Sequence, residues 1–192
     1  MSVTDDRELI LATRQGDFMA FEILVRRHQV GIFNVAYRMF GNRRDAEDAT
    51  QDTFLRAFRA LDTFDEKRPL VPWLKRIAIN VCLNMLEKER VRPAVTATDV
   101  NRPNQEKASM DDWRCAGPSP EQEAVANESA GQVRAKILRL PPQYRAVIEL
   151  RHFQGLSYEE MAETLDRSIS IVKSDLFRAR KMLAQMLDEI EL

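Results

Sequence analysis

Toward the end of the chain, Ser170, Lys173, Ser174, Arg178 and Lys181 recur at the spacing that sets side chains on one side of a helix. Their chemistry is that of binding. Hydroxyls and cations near a helix N-terminus hydrogen-bond phosphate oxygens and the edges of bases in a major groove. Taken alone, such a face is as readily a solvated surface of a helical domain. What precedes it sharpens the reading. Ser157-Tyr158-Glu159-Glu160 is a capping box, with hydroxyl and carboxylate three residues apart. It opens a short helix, Tyr158 to Leu165, followed by a tight turn, Asp166-Arg167-Ser168, and a longer helix from Ile169. These are the lengths of a helix-turn-helix. Met161, Ala162 and Leu165 on the first helix would pack against Val172, Leu176, Ala179 and Leu183 on the second.

Two further groups lie in the N-terminal half. Asp45, Asp48, Asp52, Arg56 and Arg59 share one side of a helix whose other side carries Phe54, Phe58 and Leu61. A mixed-charge face of this kind can pair with a basic, helical partner and set its register. On these residues only, a solvated face with i,i+4 pairs such as Asp52 with Arg56 is the plainer account. Arg76, Asn80 and Asn84 make a polar stripe beside Trp73, Ile77, Val81 and Met85, which repeat every four residues as a core stripe. On these residues alone, Asn80 is a helix-surface amide and Trp73 a core residue. Covalent chemistry finds no support. His28 and His152 are the only histidines, and no motif surrounds either. No glycine-rich phosphate loop, zinc spacing or nucleophile signature occurs, so no cofactor, metal or enzymatic activity is expected.

Caps and stops predict the helices that must position these groups. Thr4 would cap a helix reaching Arg14-Gln15 before Gly16, and Asp17 a second that ends at Gly41. Asn42 would cap a third, from Arg43 to about Leu61. Pro72 suits the first turn of a fourth, Trp73 to about Arg90. Between Pro93 and Gln122, proline, asparagine, serine and aspartate displace the apolar periodicity, the composition of a linker. Trp113 within it reads as a loose local contact. Helical periodicity returns over Ala124 to Arg139, then from Pro141-Pro142 to Phe153 before Gly155, and Ser168 would cap the last helix. The fold expected is all-α: two small helical domains, residues 1–93 and 123–192, joined by a flexible linker over 94–122.

The net charge of -1 conceals a segregation. Arg43 to Glu66 carries four arginines against seven acids, whereas Lys75 to Arg92 carries five bases against two acids. Oppositely charged faces suggest two different partners. The acidic start lacks an apolar signal region, and no stretch has the run of about 20 apolar residues that a span requires. A cytoplasmic protein without membrane insertion is expected, with Cys82 and Cys115 as free thiols.

Three segments of the C-terminal half closely resemble region 4 of sigma factors, in particular the extracytoplasmic-function group that keeps only regions 2 and 4. They are Leu140-Pro141-Pro142-Gln143-Tyr144-Arg145-Ala146-Val147, Gly155-Leu156-Ser157-Tyr158-Glu159-Glu160-Met161-Ala162, and Val172-Lys173-Ser174-Asp175-Leu176-Phe177-Arg178-Ala179-Arg180. The stretch from Asp45 to Phe58 resembles the region 2 helix that grips the clamp of the polymerase largest subunit, and Pro72 to Val81 resembles the promoter-melting segment. The resemblance covers almost all of the chain outside the linker.

It implies a factor, monomeric when free, that binds the clamp and flap of core RNA polymerase, with Asp45, Asp48, Gln51, Asp52 and Arg56 in the core-binding face. Lys75, Arg76, Asn80 and Asn84, with the loop Asp62 to Val71, would capture an unstacked base of the minus-ten element of promoter DNA. Ser168, Ser170, Lys173, Ser174, Phe177, Arg178 and Lys181 would read the minus-thirty-five duplex. An anti-sigma factor that holds the chain inactive until a stress signal is implied as well. Three residues depart from the family pattern. Asp166 stands where glycine is usual and can take the left-handed conformation. Ile171 replaces a common threonine. Asp175 replaces a frequent arginine and would repel phosphate, though it could accept from cytosine. A conventional helix-turn-helix repressor or activator is the alternative, usually dimeric on half-sites one turn apart. It would explain the last helices but neither the Asp45 to Phe58 face nor the Arg76–Asn80–Asn84 stripe.

Overall fold

The protein is described by a computed structural model over residues 5–91 and 131–188, and among these residues all regular structure is helical. Helix α1 (Asp6–Arg14) has Asp5 at its cap, extended but making no side-chain cap bond, and it stops before Gly16 at φ +97. The expected cap, Thr4, lies outside the described residues. Asp17 caps α2 (Phe18–Phe40), accepting from the backbone N–H of Met19 at 2.9 Å and of Ala20 at 3.3 Å. Gly41, left-handed at φ +75, ends α2, and Asn42 caps α3 (Arg43–Ala60) by accepting from the Asp45 N–H at 2.9 Å. After a 3-10 turn, Leu61–Thr63, helix α4 spans Leu70–Val91. It begins ahead of Pro72, which still falls in the first turn, where a missing N–H costs no helical bond.

These helices interlock through small residues. Ala46, Ala49 and Ala57 of α3 are buried and let it lie close to α2 and α4, in the core that also holds Leu24, Val35, Met39 and Leu74. Helix α1 is pinned by polar contacts at both ends. The Arg14 guanidinium donates to the carbonyls of Leu61, at 2.8 Å, and Phe64 and pairs with Glu66 at 3.2 Å. Asp6 pairs with Arg27 at 2.5 Å and meets His28 at 2.8 Å, which makes His28 a boundary residue tying α1 to α2.

The interval expected to be linker, with Trp113, lies outside the described residues, as does the start of the helix expected from Ala124. Its described part, α5, covers 131–139. Helix α6 (Pro142–Ile148) does not continue regularly to Phe153 as expected. It widens into a π-helical turn, Glu149–Phe153, before Gly155 at φ +70. Helices α7 (Tyr158–Leu165) and α8 (Ile169–Asp188) follow.

The two halves share a single apolar core. Helix α4 packs on α6 and α7 as well as on α2 and α3, and α2 touches α6 and the π turn. That changes the buried face of α4. Of the expected stripe only Val81 is fully buried, while Trp73, Ile77 and Met85 are half-buried. Leu74, Ala78, Ile79 and Cys82 are the deepest, because α4 is covered from two sides rather than one. Trp73 stacks on Phe64, centroid to centroid 4.6 Å, at the rim.

Candidate nucleic-acid interface

The C-terminal site is built on a well-formed helix-turn-helix. The Glu160 N–H donates to Ser157 Oγ at 3.2 Å, and the Ser157 N–H donates back to Glu160 Oε2 at 2.7 Å. That backbone bond, then the serine hydroxyl, holds the Glu160 carboxyl below its ordinary range. Asp166 adopts the left-handed conformation, φ 51 and ψ 50, and is the one non-glycine residue at positive φ among the described residues. Ser168 Oγ accepts from the Ile171 N–H at 3.4 Å and starts α8. Met161, Ala162, Val172, Leu176 and Ala179 are buried between the helices, and Leu165 and Leu183 are half-buried.

The opposite face of α8 is open. Ser168, Ser170, Lys173, Ser174, Phe177, Arg178 and Lys181 are all exposed, Phe177 by 69%. The Lys173 ammonium sits 5.3 Å from the Tyr158 ring centroid, which steadies it against α7. One expectation is corrected here. Asp175 faces neither phosphate nor base: it is 7% exposed and its carboxylate pairs with Arg167 at 3.0 Å, which clamps the turn to α8.

On α3 the outward surface is narrower than the charge pattern suggested. Asp48 and Gln51 are exposed, whereas Asp45, Asp52 and Arg56 are half-buried along its edge. Asp45 accepts from the Asn42 side-chain amide at 2.7 Å, and Asp52 pairs with Arg56 at 2.9 Å. Leu55, 57% exposed, stands in the middle of this face and was missed by a charge-based reading. Its signal in the sequence is a leucine four residues from Gln51 and three from Asp52, inside the polar stripe. Phe58, expected in the core with Phe54 and Leu61, is 38% exposed and packs on Phe18 and Phe21 at 6.0 and 4.9 Å between centroids.

The α4 stripe is only partly open. Asn80 Nδ2 donates to the Thr164 carbonyl at 3.3 Å, and Arg76 pairs with Glu163 at 3.3 Å while keeping 42% of its side chain in solvent, so α7 of the other half touches both. Lys75 is half-buried, and only Asn84 of the four is exposed.

Two family models match the chain: sigma-70 region 2 over residues 24–92 and sigma-70 region 4 over residues 130–183. The chain is 33% identical over 188 residues to the RNA polymerase sigma-H factor of Pseudomonas aeruginosa, covering 96% of this chain and 95% of that one. It is 32% identical over 185 residues to the ECF RNA polymerase sigma factor SigW of Bacillus subtilis, covering 96% and 97%. The chain belongs to the extracytoplasmic-function sigma factors. Its fold is also similar to that of CnrH, solved in complex with the cytosolic domain of CnrY, with a TM-score of 0.61 and 29% identity over 96% of this chain and 97% of that one. As a sigma factor it binds core RNA polymerase and directs promoter recognition at initiation.

In this sigma factor the joint between the halves holds residues to which sequence reasoning gave no role. Arg38 of α2 makes a two-pronged pair with Glu149, Nε to Oε2 at 2.6 Å and Nη2 to Oε1 at 2.8 Å. Its guanidinium also lies 4.8 Å from the Phe153 ring centroid. Glu149 is 2% exposed. Arg145, also buried, donates to the Met39 carbonyl at the end of α2 and to those of Leu138, at 2.6 Å, and Leu140, at 3.1 Å. Burial pulls the Arg145 pKa below its ordinary value. Arginine remains charged under such a shift. A cavity of about 360 Å³ opens beside this joint, lined by Arg38, Val133, Ile137, Arg145, Glu149 and Phe153 among others. Arg145 and Glu149 carry one signal in the sequence: two charges within the otherwise apolar run Ala146-Val147-Ile148-Glu149-Leu150 and its approach.

Proposed function

We propose that the sigma factor works through three faces. The outward face of α3, with Asp48, Gln51 and Leu55 at its centre and Asp45, Asp52 and Arg56 at its edge, docks on the clamp of the polymerase largest subunit. Exposed acids can meet a basic helical partner, and the central leucine supplies apolar contact between them. The exposed start of α8 enters the major groove of the minus-thirty-five element. There the helix dipole and the hydroxyls of Ser168, Ser170 and Ser174 engage phosphates and base edges. Lys173, Arg178 and Lys181 neutralise phosphates, and Phe177 and Ile171 offer apolar contact to a thymine methyl. Lys75, Arg76, Asn80 and Asn84, with the loop 62–71, capture an unstacked base of the minus-ten element. Residues 1–93 act as the polymerase-docking and melting domain, 123–192 as the duplex-reading domain that also meets the flap, and 94–122 span between them.

The factor supplies recognition, while bond formation stays with the polymerase, and it needs no cofactor or metal of its own. It acts in the cytoplasm, as a monomer when free. Among the described residues no helix is long and apolar enough to cross a membrane. An anti-sigma protein holds it inactive until a stress signal arrives; the complex of the similar CnrH with the cytosolic domain of CnrY supports that regulation.

The observation that carries this reading is the bare row of hydroxyls and cations on α8, set opposite a fully packed helix-turn-helix core. The test is run-off transcription with core polymerase, with and without the factor, on a library of random promoters. Selective initiation that Asp48→Arg abolishes, with both promoter elements recovered from the transcripts, is expected. No stimulation, together with tight binding of the free protein to palindromic duplex DNA, would replace this mechanism with that of a conventional repressor or activator.

A further inference from the structure

We propose that Arg167, in the turn ahead of α8, grips a phosphate at the edge of the duplex-reading face, and that the buried carboxylate of Asp175 aims it. The inference rests on the reading of α8 as the groove-facing helix made above, and gives a role to two residues which that reading left out. Asp175 is 7% exposed, and its carboxylate accepts from Arg167 Nη1 at 3.0 Å. The pair is lopsided: Asp175 keeps 10% of its side chain in solvent, Arg167 40%. The acid is sealed beneath the cation, so what DNA meets at this place is a guanidinium. Its surroundings are open, since residues 166–171 are all exposed. Helical spacing fixes where along α8 that guanidinium lies. Asp175 follows Ile171 by four residues and precedes Arg178 by three, between the buried row Val172, Leu176 and Ala179 and the reading face. A cation held there flanks the groove-facing row, where the sugar-phosphate backbone runs, instead of entering among the base edges.

Both ends of Arg167 are fixed before DNA arrives. Its backbone N–H donates to the Ala162 carbonyl at 3.0 Å, closing the turn that Asp166 makes at φ 51. Its head is tied to Asp175. A guanidinium carries five N–H donors in a planar fork, and the bond to Asp175 engages Nη1, which leaves donors on the exposed part for a phosphate oxygen. An arginine free to swing gives up rotamer freedom when it grips a phosphate, whereas this one has given it up on folding. Stranding a buried carboxylate is costly, so the pair persists when DNA binds. The carboxylate does not cancel the cation as DNA meets it, because the nearer charge dominates. Lys173 is steadied in a similar way, with its ammonium 5.3 Å from the Tyr158 ring centroid on α7. By helical spacing Lys173 and Asp175 fall on opposite sides of the row Ser170, Ser174 and Phe177, so two oriented cations bracket that row.

The full-length chain tests this with a change that leaves its net charge alone. Arg167→Gln together with Asp175→Asn removes one charge of each sign. Fluorescein-labelled duplex DNA of mixed sequence is the probe, titrated at several salt concentrations and followed by anisotropy, with helicity checked by circular dichroism. A pair that served the fold alone would leave DNA binding as it was. The expected result is the loss of one phosphate contact. The slope of log affinity against log salt falls by about 1, and binding at about 0.1 M salt weakens about five- to tenfold on all sequences. An unchanged slope in a variant of native helicity overturns the proposal. The reversed pair, Arg167→Asp with Asp175→Arg, keeps the bond but turns the anion outward, and should bind more weakly still. Native binding by it overturns the proposal as well, and it decides the matter if the neutral pair fails to fold. Asp175→Ala alone tests the aiming. By charge count, removing an acid strengthens binding to a polyanion about five- to tenfold; with Arg167 released that gain is expected to be absent, and a full gain would refute the aiming role. Lys173→Ala separates the proposal from the reading beneath it. If it lowers the slope while the neutral pair does not, α8 meets the duplex without help from Arg167. If only the neutral pair lowers the slope, Arg167 meets DNA and the groove-facing reading of α8 fails.

Discussion

Helices α4 and α8 carry the same kind of pattern, a polar stripe of amides or hydroxyls with cations along one side and an apolar stripe along the other. In the folded chain they meet opposite fates. The α8 stripe faces solvent from Ser168 to Lys181, whereas Arg76 and Asn80 of α4 are held against Glu163 and Thr164. An amphipathic pattern records which side chains tolerate water, and says nothing of which tolerant face another domain will cover. A hydrogen-bonding stripe can be left to solvent or satisfied by a neighbouring helix, and here each outcome is realised once.

The sharpest way to break the contrast is to unfold its open half. Leu176 is fully buried between α7 and α8, and Leu176→Ala should cost the C-terminal domain about 2–5 kcal/mol, roughly 30-fold to several thousandfold in its folding equilibrium. Duplex affinity should fall with the loss of α8 order. Thermal melting and titrations with duplex DNA check it, and an unchanged affinity would mean that α8 keeps its shape without Leu176.

A second prediction concerns the sealed side of α4. Cys82 is fully buried, and its thiol is pushed up to about 12, first by burial and then by the Glu149 carboxylate. The raised value favours the neutral thiol, so reactivity stays suppressed through neutral pH and returns only as pH climbs toward the folded value. At pH 8 the thiolate fraction is about a thousandfold below that of a thiol at its ordinary value. Alkylation at Cys82, followed by peptide mapping, should be at least about a hundredfold slower in the native than in the denatured chain. Equal rates would mean that the packing around Cys82 opens freely.

How much of this was legible follows from range. The capping box, the helix stops at Gly16, Gly41 and Gly155, and the core of the helix-turn-helix are local signals, and the structure contains them as read. The left-handed turn at Asp166 was legible for the same reason. What failed was interdomain. The core stripe of α4 was shifted because α6 and α7 cover it, a contact between residues separated by the interval 92–130. Asp175 was read as facing DNA because its partner Arg167 lies around the turn, where helical spacing does not apply. The ion pair Arg38 and Glu149 lies 111 residues apart, and no periodicity links them. Gly41 belongs with these. Its φ of +75 suits a helix end, and a Cβ there would also run into the Leu138 side chain of α5, a second demand that only the folded chain reveals.

Smaller changes on the open face should sharpen the contrast without moving the joint between the halves. Lys173→Ala and Lys181→Ala each remove one phosphate-directed cation. Each should weaken duplex binding uniformly across sequences and lower the slope of log affinity against log salt by about 1. Ser174→Ala should instead act at one base position and cost less on other sequences. Titrations at several salt concentrations separate the two behaviours. None of the three should alter binding to single-stranded DNA, since none lies on α4. A parallel change in duplex and single-strand binding would mean that α8 reaches the same strand.

The smallest effect lies at the cap that aims α7. Ser157→Ala removes the hydroxyl that accepts from the Glu160 N–H and should cost about 1 kcal/mol, roughly fivefold in stability. The reciprocal arm has a pH signature. The Glu160 carboxyl is held below its ordinary range in the folded chain, so its contribution is complete above that range and is lost as pH falls through the folded value. Melting temperatures followed from neutral to acid should therefore drop more steeply for the native chain than for Glu160→Gln across that interval. Identical slopes would show the carboxylate bond to be absent in solution. A steeper slope in the native protein would show that the reciprocal arm of the cap fixes the start of α7 in solution.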